Sequence, residues 1–414
     1  MQNSRFARVT AGALITPFLS CILGFAGTVA LIARSQEAIG ASPIQTVSAI
    51  TSLCIAISIV GFVLTLWLRI PIILGWSTPG AALLAAYPGG GRYSEVVGAF
   101  VIAGFATLLV GCSSTLRRAV SRIPASISSA MLAGIVFPFC LPLFRDFSIH
   151  PVLISATLAT FIIVRNIKTI YAIPSSVAVA VIVGSVMAPL DMHYSGALGG
   201  VLKLSHPAIS MPTSIELAIP LFLVTFVSQN VPGMVVAKSA GYIIKERMAI
   251  TFLGLASIVI APFGGHGVGL APITAAMCIG DESGLARENR WISGILYAVF
   301  YAVIAIFCAP IIYFFASMPH EILVTITAIA VIPILVSSMA NMMAIVADRE
   351  AVVLTFVATA SGMLFAGIGS AFWGLLVGGA VLIIKRWLWL GSGLKKINDP
   401  APRARGIPGG TRKA

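Results

Sequence analysis

Apolar runs separated by short polar connectors fill almost the whole chain. A helix needs about 20 consecutive, mostly apolar residues to cross the hydrocarbon core of a bilayer. Twelve runs reach or approach that length, at 10–33, 44–68, 94–112, 123–144, 149–164, 172–190, 213–231, 248–263, 291–315, 322–346, 351–370 and 372–390. They predict an all-α polytopic membrane protein. Two further apolar stretches, 71–87 and 267–279, are too short and too rich in Gly and Pro to be ordinary spans.

Charge decides whether those two also cross. Cytoplasmic loops of membrane proteins carry the excess of Lys and Arg. If both stretches cross and the N-terminus is cytoplasmic, only Arg34, Arg92, Arg145 and Lys203 fall outside, while Arg117, Arg118, Arg122, Arg165, Lys168, Lys238, Lys245 and Arg247 fall inside. If neither crosses, those eight basic residues flip outside. The expectation is therefore about 14 crossings with both termini in the cytoplasm.

Composition agrees. The 414 residues are 58% hydrophobic and 9% charged, where a soluble domain carries about 25% charged residues and could not cover its surface with fewer. The first apolar run is as long as a span and lacks a cleavage site, so it reads as a helix rather than a signal peptide. The net charge of +13 sits in short loops and reads as a topology signal, not as a nucleic-acid surface. The six cysteines form no CxxC pair and read as small buried hydrophobes. No metal site or cofactor is expected.

The two short segments lie about 190 residues apart, and at that offset Gly75 falls over Gly265 and Ala81 over Ala271. Each would be the third crossing of a seven-crossing half. Seven is odd, so the second half enters the membrane from the opposite side, giving an inverted repeat. The expected organisation is an N-terminal cytoplasmic segment 1–9, a first repeat 10–190, an extracytoplasmic loop 191–212, a second repeat 213–390 and a basic tail 391–414. Paired short, Gly/Pro-interrupted segments at matching positions are the best sequence pointer to a transporter site. An extended stretch running into a half-helix leaves N–H groups unpaired at the helix start, and with the helix dipole these suit an anion.

Four polar features interrupt the apolar spans. Gln229 and Asn230, followed by Pro232 and Gly233, place two amides inside the eighth crossing. They are costly there unless bonded, either as glue between helices or facing a substrate. His266 is an ionisable residue within an apolar stretch, a candidate for proton coupling. In 76–80, Thr78 or Ser77 would cap a half-helix with Pro79 in its first turn, and Trp76 would either stack on an aromatic ligand or anchor packing. Asn341, with Ser337 and Ser338, reads as helix packing. Carboxylates avoid midplane depth, so a coupling carboxylate would sit at a span end, and Glu95 and Glu216 are the candidates. There is no P-loop, HExxH, GxSxG, TVGYG or Arg-rich helix, which argues against a pump, a membrane enzyme or a channel.

At these residues the chain resembles the benzoate:proton symporter (BenE) family. The resemblance is carried by Trp-Ser-Thr-Pro-Gly-Ala-Ala-Leu-Leu at 76–84, Ser-Gln-Asn-Val-Pro-Gly at 228–233, Ala-Pro-Phe-Gly-Gly-His-Gly at 261–267 with Ile-Thr-Ala-Ala at 273–276, Leu-Thr-Phe-Val-Ala-Thr-Ala-Ser-Gly at 354–362 and Gly-Ile-Gly-Ser-Ala-Phe-Trp-Gly at 367–374. Gly265 and Gly269 stand where the family more usually has Ala and Asn. The resemblance implies a uracil-symporter-like fold, with a core of crossings 1–4 and 8–11 and a gate of crossings 5–7 and 12–14. Substrate would lie between crossings 3, 8 and 10. It further implies proton-coupled uptake of benzoate or a similar aromatic carboxylate across the inner membrane. The expected binding set is Trp76, Ser77, Thr78, Pro79, Gly80, Gln229, Asn230, Gly267, Val268, Gly269 and Leu270, with Trp76 on the ring and the carboxylate at the two half-helix ends. A same-fold symporter for a nucleobase or another organic or inorganic anion is the alternative, and a homodimer stays open.

Overall fold

The computed structural model describes residues 11–26, 28–87, 92–120, 124–187, 199–280, 285–365 and 368–391. The expected segment 1–9, residues 392–414 of the expected tail 391–414, and 191–198 of the expected loop 191–212 lie outside them. Each of the twelve apolar runs contains helix, and among the described residues eight helical stretches are long and apolar enough to cross a membrane. Three shorter apolar helices are Pro151–Ile167, Tyr171–Met187 and Ser370–Lys385.

Several boundaries differ from expectation for local reasons. The first run is two helices, Ala11–Ala26 and Val29–Ala38. The run at 291–315 is broken at Phe307 into Trp291–Ile306 and Cys308–Ala316, because Pro310 has no N–H to continue the first helix. The run expected at 351–370 stops as helix at Ala360: Gly362 takes φ 64°, the left-handed conformation that ends helices. A short hairpin follows, and the next helix starts at Ser370. The helix expected at 213–231 continues to Ser239, well past its expected end. There a π-turn at Phe226–Asn230, in which the Val231 N–H reaches back to the Phe226 carbonyl, lets the helix pass Pro232. Asn341 is exposed near the end of its helix rather than packed.

The helices sort into two packing groups. In one, Glu246–Ile260 lies along Tyr93–Cys112 and Trp291–Ile306 along Pro43–Leu68. The first pair approaches closely because Gly104, Gly111 and Gly254 offer no side chain: a Cβ on any of them would meet the facing backbone within 2.9 Å. In the other group, His320–Met342 and Arg349–Ala360 pack on Ala125–Cys140, and Pro151–Ile167 on Thr169–Met187. Two small apolar clusters, one around Ile127, Ala130 and Val352 and one around Ile154, Phe161 and Ile329, belong to this second group.

The linker residues 199–210 run extended over the first group alone. The Gly200 N–H donates to the Ile306 carbonyl at 2.9 Å, Lys203 N–H to Ser48 Oγ at 2.8 Å, Ser205 N–H to Pro262 O at 2.7 Å and Ala208 N–H to Ser94 O at 2.9 Å.

At the centre of the first group sit two three-residue strands, β1 (Leu74–Trp76) and β2 (Val268–Leu270), paired antiparallel with Gly75 opposite Gly269. Each strand runs directly into an eight-residue half-helix, Thr78–Ala85 or Pro272–Ile279. The Ser77 N–H donates to Gly267 O at 3.1 Å and the Ala271 N–H to Ile73 O at 3.0 Å, so the ladder closes symmetrically about the glycine pair. The sequence register of Gly75 over Gly265 is therefore corrected. Ser77 and Ala271 are the equivalent N-cap residues, and Gly75 belongs with Gly269. The second half-helix starts at Pro272, not within 267–270, of which Val268–Leu270 is strand.

Candidate functional site

Main-chain polar groups at the heart of an apolar protein need partners, and two helices supply them to this ladder. The helix carrying the π-turn serves both strands. Its wider turn aims two consecutive amides at the same strand pair. Gln229 Nε2 donates to the Trp76 carbonyl of β1 at 2.9 Å, and the Leu270 N–H of β2 donates to Asn230 Oδ1 at 2.9 Å. These partners fix which amide atom is nitrogen and which is oxygen. Four residues before Gln229, the Thr225 hydroxyl shares a 2.5 Å hydrogen bond with Ser77 Oγ, which also accepts from the Gly80 N–H at 3.0 Å. From the next helix, Ser257 Oγ accepts from Val268 N–H at 3.2 Å.

His266 links the two broken segments. Its Nε2 lies 2.9 Å from the Ser77 carbonyl. A carbonyl can only accept, so Nε2 carries the proton and Nδ1 of the neutral ring is a bare acceptor. The ring packs edge-on against Phe100, with centroids 6.3 Å apart. The preceding turn is held by Gln36, whose Nε2 donates to Gly264 O at 3.3 Å, and by Ser48, whose hydroxyl donates to Phe263 O at 2.9 Å. Gly267 takes φ 126°, a conformation that favours glycine.

What remains unused defines the chemistry on offer. Gln229 Oε1, Asn230 Nδ2, Ser228 Oγ and His266 Nδ1 are buried atoms without a hydrogen-bond partner. Leaving such a group unpaired costs about 1–3 kcal/mol, and three of them, on Gln229, Asn230 and His266, belong to side chains whose other polar atom bonds the ladder or the cap residue Ser77. Gly75, Thr78, Ser228 and Ala271 are half-buried, while Gln229 and Asn230 are buried. No Lys or Arg is buried among the described residues.

The expected residues divide accordingly. Ser77, Gln229, Asn230, His266, Gly267, Val268, Gly269 and Leu270 come together at the ladder, with Thr78, Pro79 and Gly80 in the first turn of the half-helix. The N–H groups of Gly80, Val268 and Leu270 are already taken by Ser77, Ser257 and Asn230, so they are not offered to a carboxylate. Trp76 is occupied by packing. Its indole N–H donates to Thr28 Oγ1 at 2.8 Å, and its ring lies between Phe25 and Tyr301, with centroids 5.3 and 6.2 Å away. Glu95 and Glu216 lie elsewhere. The Glu95 carboxylate accepts from Thr213 Oγ1 at 3.2 Å, and Glu216 is buried in the following π-turn, Ser214–Ala218. Sequence reasoning missed Thr225, Ser257 and Thr28. For Thr225 a signal existed, since it stands one turn before Gln229 on the same helix.

A multi-pass helical protein with partnerless polar atoms around a broken-segment pair is built as a membrane transport protein. The chain belongs to the BenE family, described as benzoate membrane transport protein, which it matches over residues 4–384. It is 32% identical over 375 residues to the inner membrane protein YdcO of Escherichia coli K12, covering 90% of this chain and 95% of that one. It is 29% identical over 370 residues to the benzoate membrane transport protein of Acinetobacter baylyi, covering 88% and 93%. Among solved structures, the transmembrane domain of the cyanobacterium bicarbonate transporter BicA superposes with TM-score 0.56 at 14% identity, covering 92% of this chain and 97% of that one. The structure of SLC26A9 gives TM-score 0.56 at 14% identity, covering 91% and 66%. These two likenesses concern the fold. The family is one of transporters, not of enzymes.

Proposed function

We propose that the protein is a proton-coupled symporter that takes up benzoate or a similar aromatic carboxylate across the inner membrane. The observation that carries this reading is the set of buried, partnerless atoms on Gln229, Asn230 and His266 around the β1–β2 ladder. The family and the name of the Acinetobacter relative support the substrate, and the name of the Escherichia coli relative supports the membrane.

In this reading the chain crosses the membrane fourteen times in two inverted halves of seven, with both termini cytoplasmic; the charge pattern and the antiparallel, equal-length broken segments support it. The packing group around the ladder is the substrate-carrying core, and the group around Ala125–Cys140 and His320–Met342 is the gate. Rocking of one against the other alternates access. The substrate carboxyl meets Gln229 and Asn230, and His266, through Nδ1, is the side chain that handles the coupling proton. Glu95 and Glu216, at the outer ends of their helices, are second candidates for that role.

The test is uptake of labelled benzoate into proteoliposomes with and without an inward proton gradient. Gradient-driven accumulation is expected. No uptake by correctly inserted protein would sink the benzoate assignment, and competition by nucleobases or other anions would then identify the substrate class.

A further inference from the structure

The two amides offer unlike valences at one place. A Cβ on Gly269 would sit 2.7 Å from Asn230 Oδ1, 3.5 Å from its Cγ and 3.7 Å from Gln229 Cδ, so both amide groups pack against that one glycine. Gln229 has spent its N–H on the Trp76 carbonyl, and its Oε1, a pure acceptor, is left over. Asn230 has spent its oxygen on the Leu270 N–H, and its Nδ2, a pure donor, is left over. Gln229 and Asn230 are 6% and 1% exposed.

One donor beside one acceptor does not match a carboxylate. Both carboxylate oxygens are acceptors, and one of them would face the Gln229 carbonyl oxygen, lone pair against lone pair. An undissociated carboxylic acid matches both: its C=O accepts from Asn230 Nδ2, and its O–H donates to Gln229 Oε1. The surroundings lean the same way. A buried anion without a cation is costly, and no Lys or Arg is buried among the described residues. Ser77 already takes the Gly80 N–H, and Pro272 has no N–H to give.

We infer that the substrate is bound and carried as the neutral acid, so that the coupling proton crosses on the substrate's own carboxyl group. This rests on the proposed function and deepens it. The carboxylate gains its proton on the outer side, where His266 Nδ1 can pass it on, and crosses with the O–H bond intact. On the inner side that bond breaks, the proton goes to water and the carboxylate leaves. His266 is then a relay for the proton, not its carrier.

A falling affinity with rising pH does not separate these schemes, because an imidazolium–carboxylate pair shows it too. The state of the bound carboxyl does. The experiment takes purified protein with benzoate carrying a ¹³C carboxyl, and reads the infrared bands of the bound carboxyl. Competition by two aromatic probes accompanies it: benzamide, which has the donor and acceptor of the acid and no charge, and benzenesulfonate, which stays anionic. Bands of a protonated acid are expected, with benzamide competing equally across pH 5.5–7.5 and benzenesulfonate at least tenfold weaker than benzoate. Carboxylate bands, or benzenesulfonate competing as well as benzoate, would overturn the inference and leave benzoate transport standing. Absence of benzoate binding would overturn both.

Discussion

His266 donates its Nε2–H to the carbonyl of Ser77 across 2.9 Å, and so joins the segment before one half-helix to the cap of the other. One ring nitrogen holds the two halves together while the other stays open. The two roles are separable. His266→Gln keeps an N–H donor of similar reach but cannot titrate, and is expected to keep membrane abundance while proton-driven accumulation falls about tenfold or more, the effect of ~1.4 kcal/mol. His266→Ala is expected to lower thermal stability as well. Wild-type accumulation in the Gln variant would remove His266 from the proton path.

Gln229→Ala takes the donor from a buried carbonyl, a cost of about 1–3 kcal/mol. Uptake is expected to weaken by at least tenfold with membrane abundance unchanged. Unaltered transport kinetics would take Gln229 out of the site.

The two central glycines are expected to differ in tolerance. A methyl on Gly269 would sit 2.7 Å from Asn230 Oδ1 and push that side chain off the Leu270 N–H, whereas a methyl on Gly75 meets the Ala271 Cβ at 3.2 Å, a smaller overlap. Gly269→Ala is thus expected to cost about 1–3 kcal/mol of stability and most of the transport, and Gly75→Ala markedly less. Equal effects in paired uptake and melting measurements would refute the ordering.

Trp76→Phe tests the packing role of the indole. It removes the hydrogen bond to Thr28 Oγ1 and keeps an aromatic ring between Phe25 and Tyr301. Stability is expected to fall by about 1 kcal/mol with the apparent affinity for benzoate nearly unchanged. A several-fold rise in KM at unchanged stability would restore Trp76 as a contact for the substrate's ring.

Much of this was legible in the sequence. Apolar length located the helices, because lipid demands it, and Gly/Pro content located both broken segments. Gln229, Asn230 and His266 stood out because polar groups are rare in apolar spans. The register of the ladder was not legible. Gly and Ala are so common here that Gly265 looked as good a match for Gly75 as Gly269 does, and only the backbone pairing separates them. The partner of Trp76 was hidden as well, since Thr28 is far away in sequence and looks like any threonine in a helix. Nor does a sequence state which amide atom is spent on the backbone, and that division sets what the pair can bind.

The ladder also sets a schedule for biogenesis. β1 is synthesised roughly 200 residues before β2, its only strand partner in the two-stranded sheet. At about 5–20 residues per second the interval is on the order of 10–40 s. An unpaired strand cannot rest against lipid, because its N–H and C=O groups would have no partners there. The β1 segment of the nascent chain therefore stays sheltered by protein, its own earlier helices or the insertion machinery, until β2 arrives to complete it. The first half made alone is left with an open strand, and is a natural target for quality-control proteolysis.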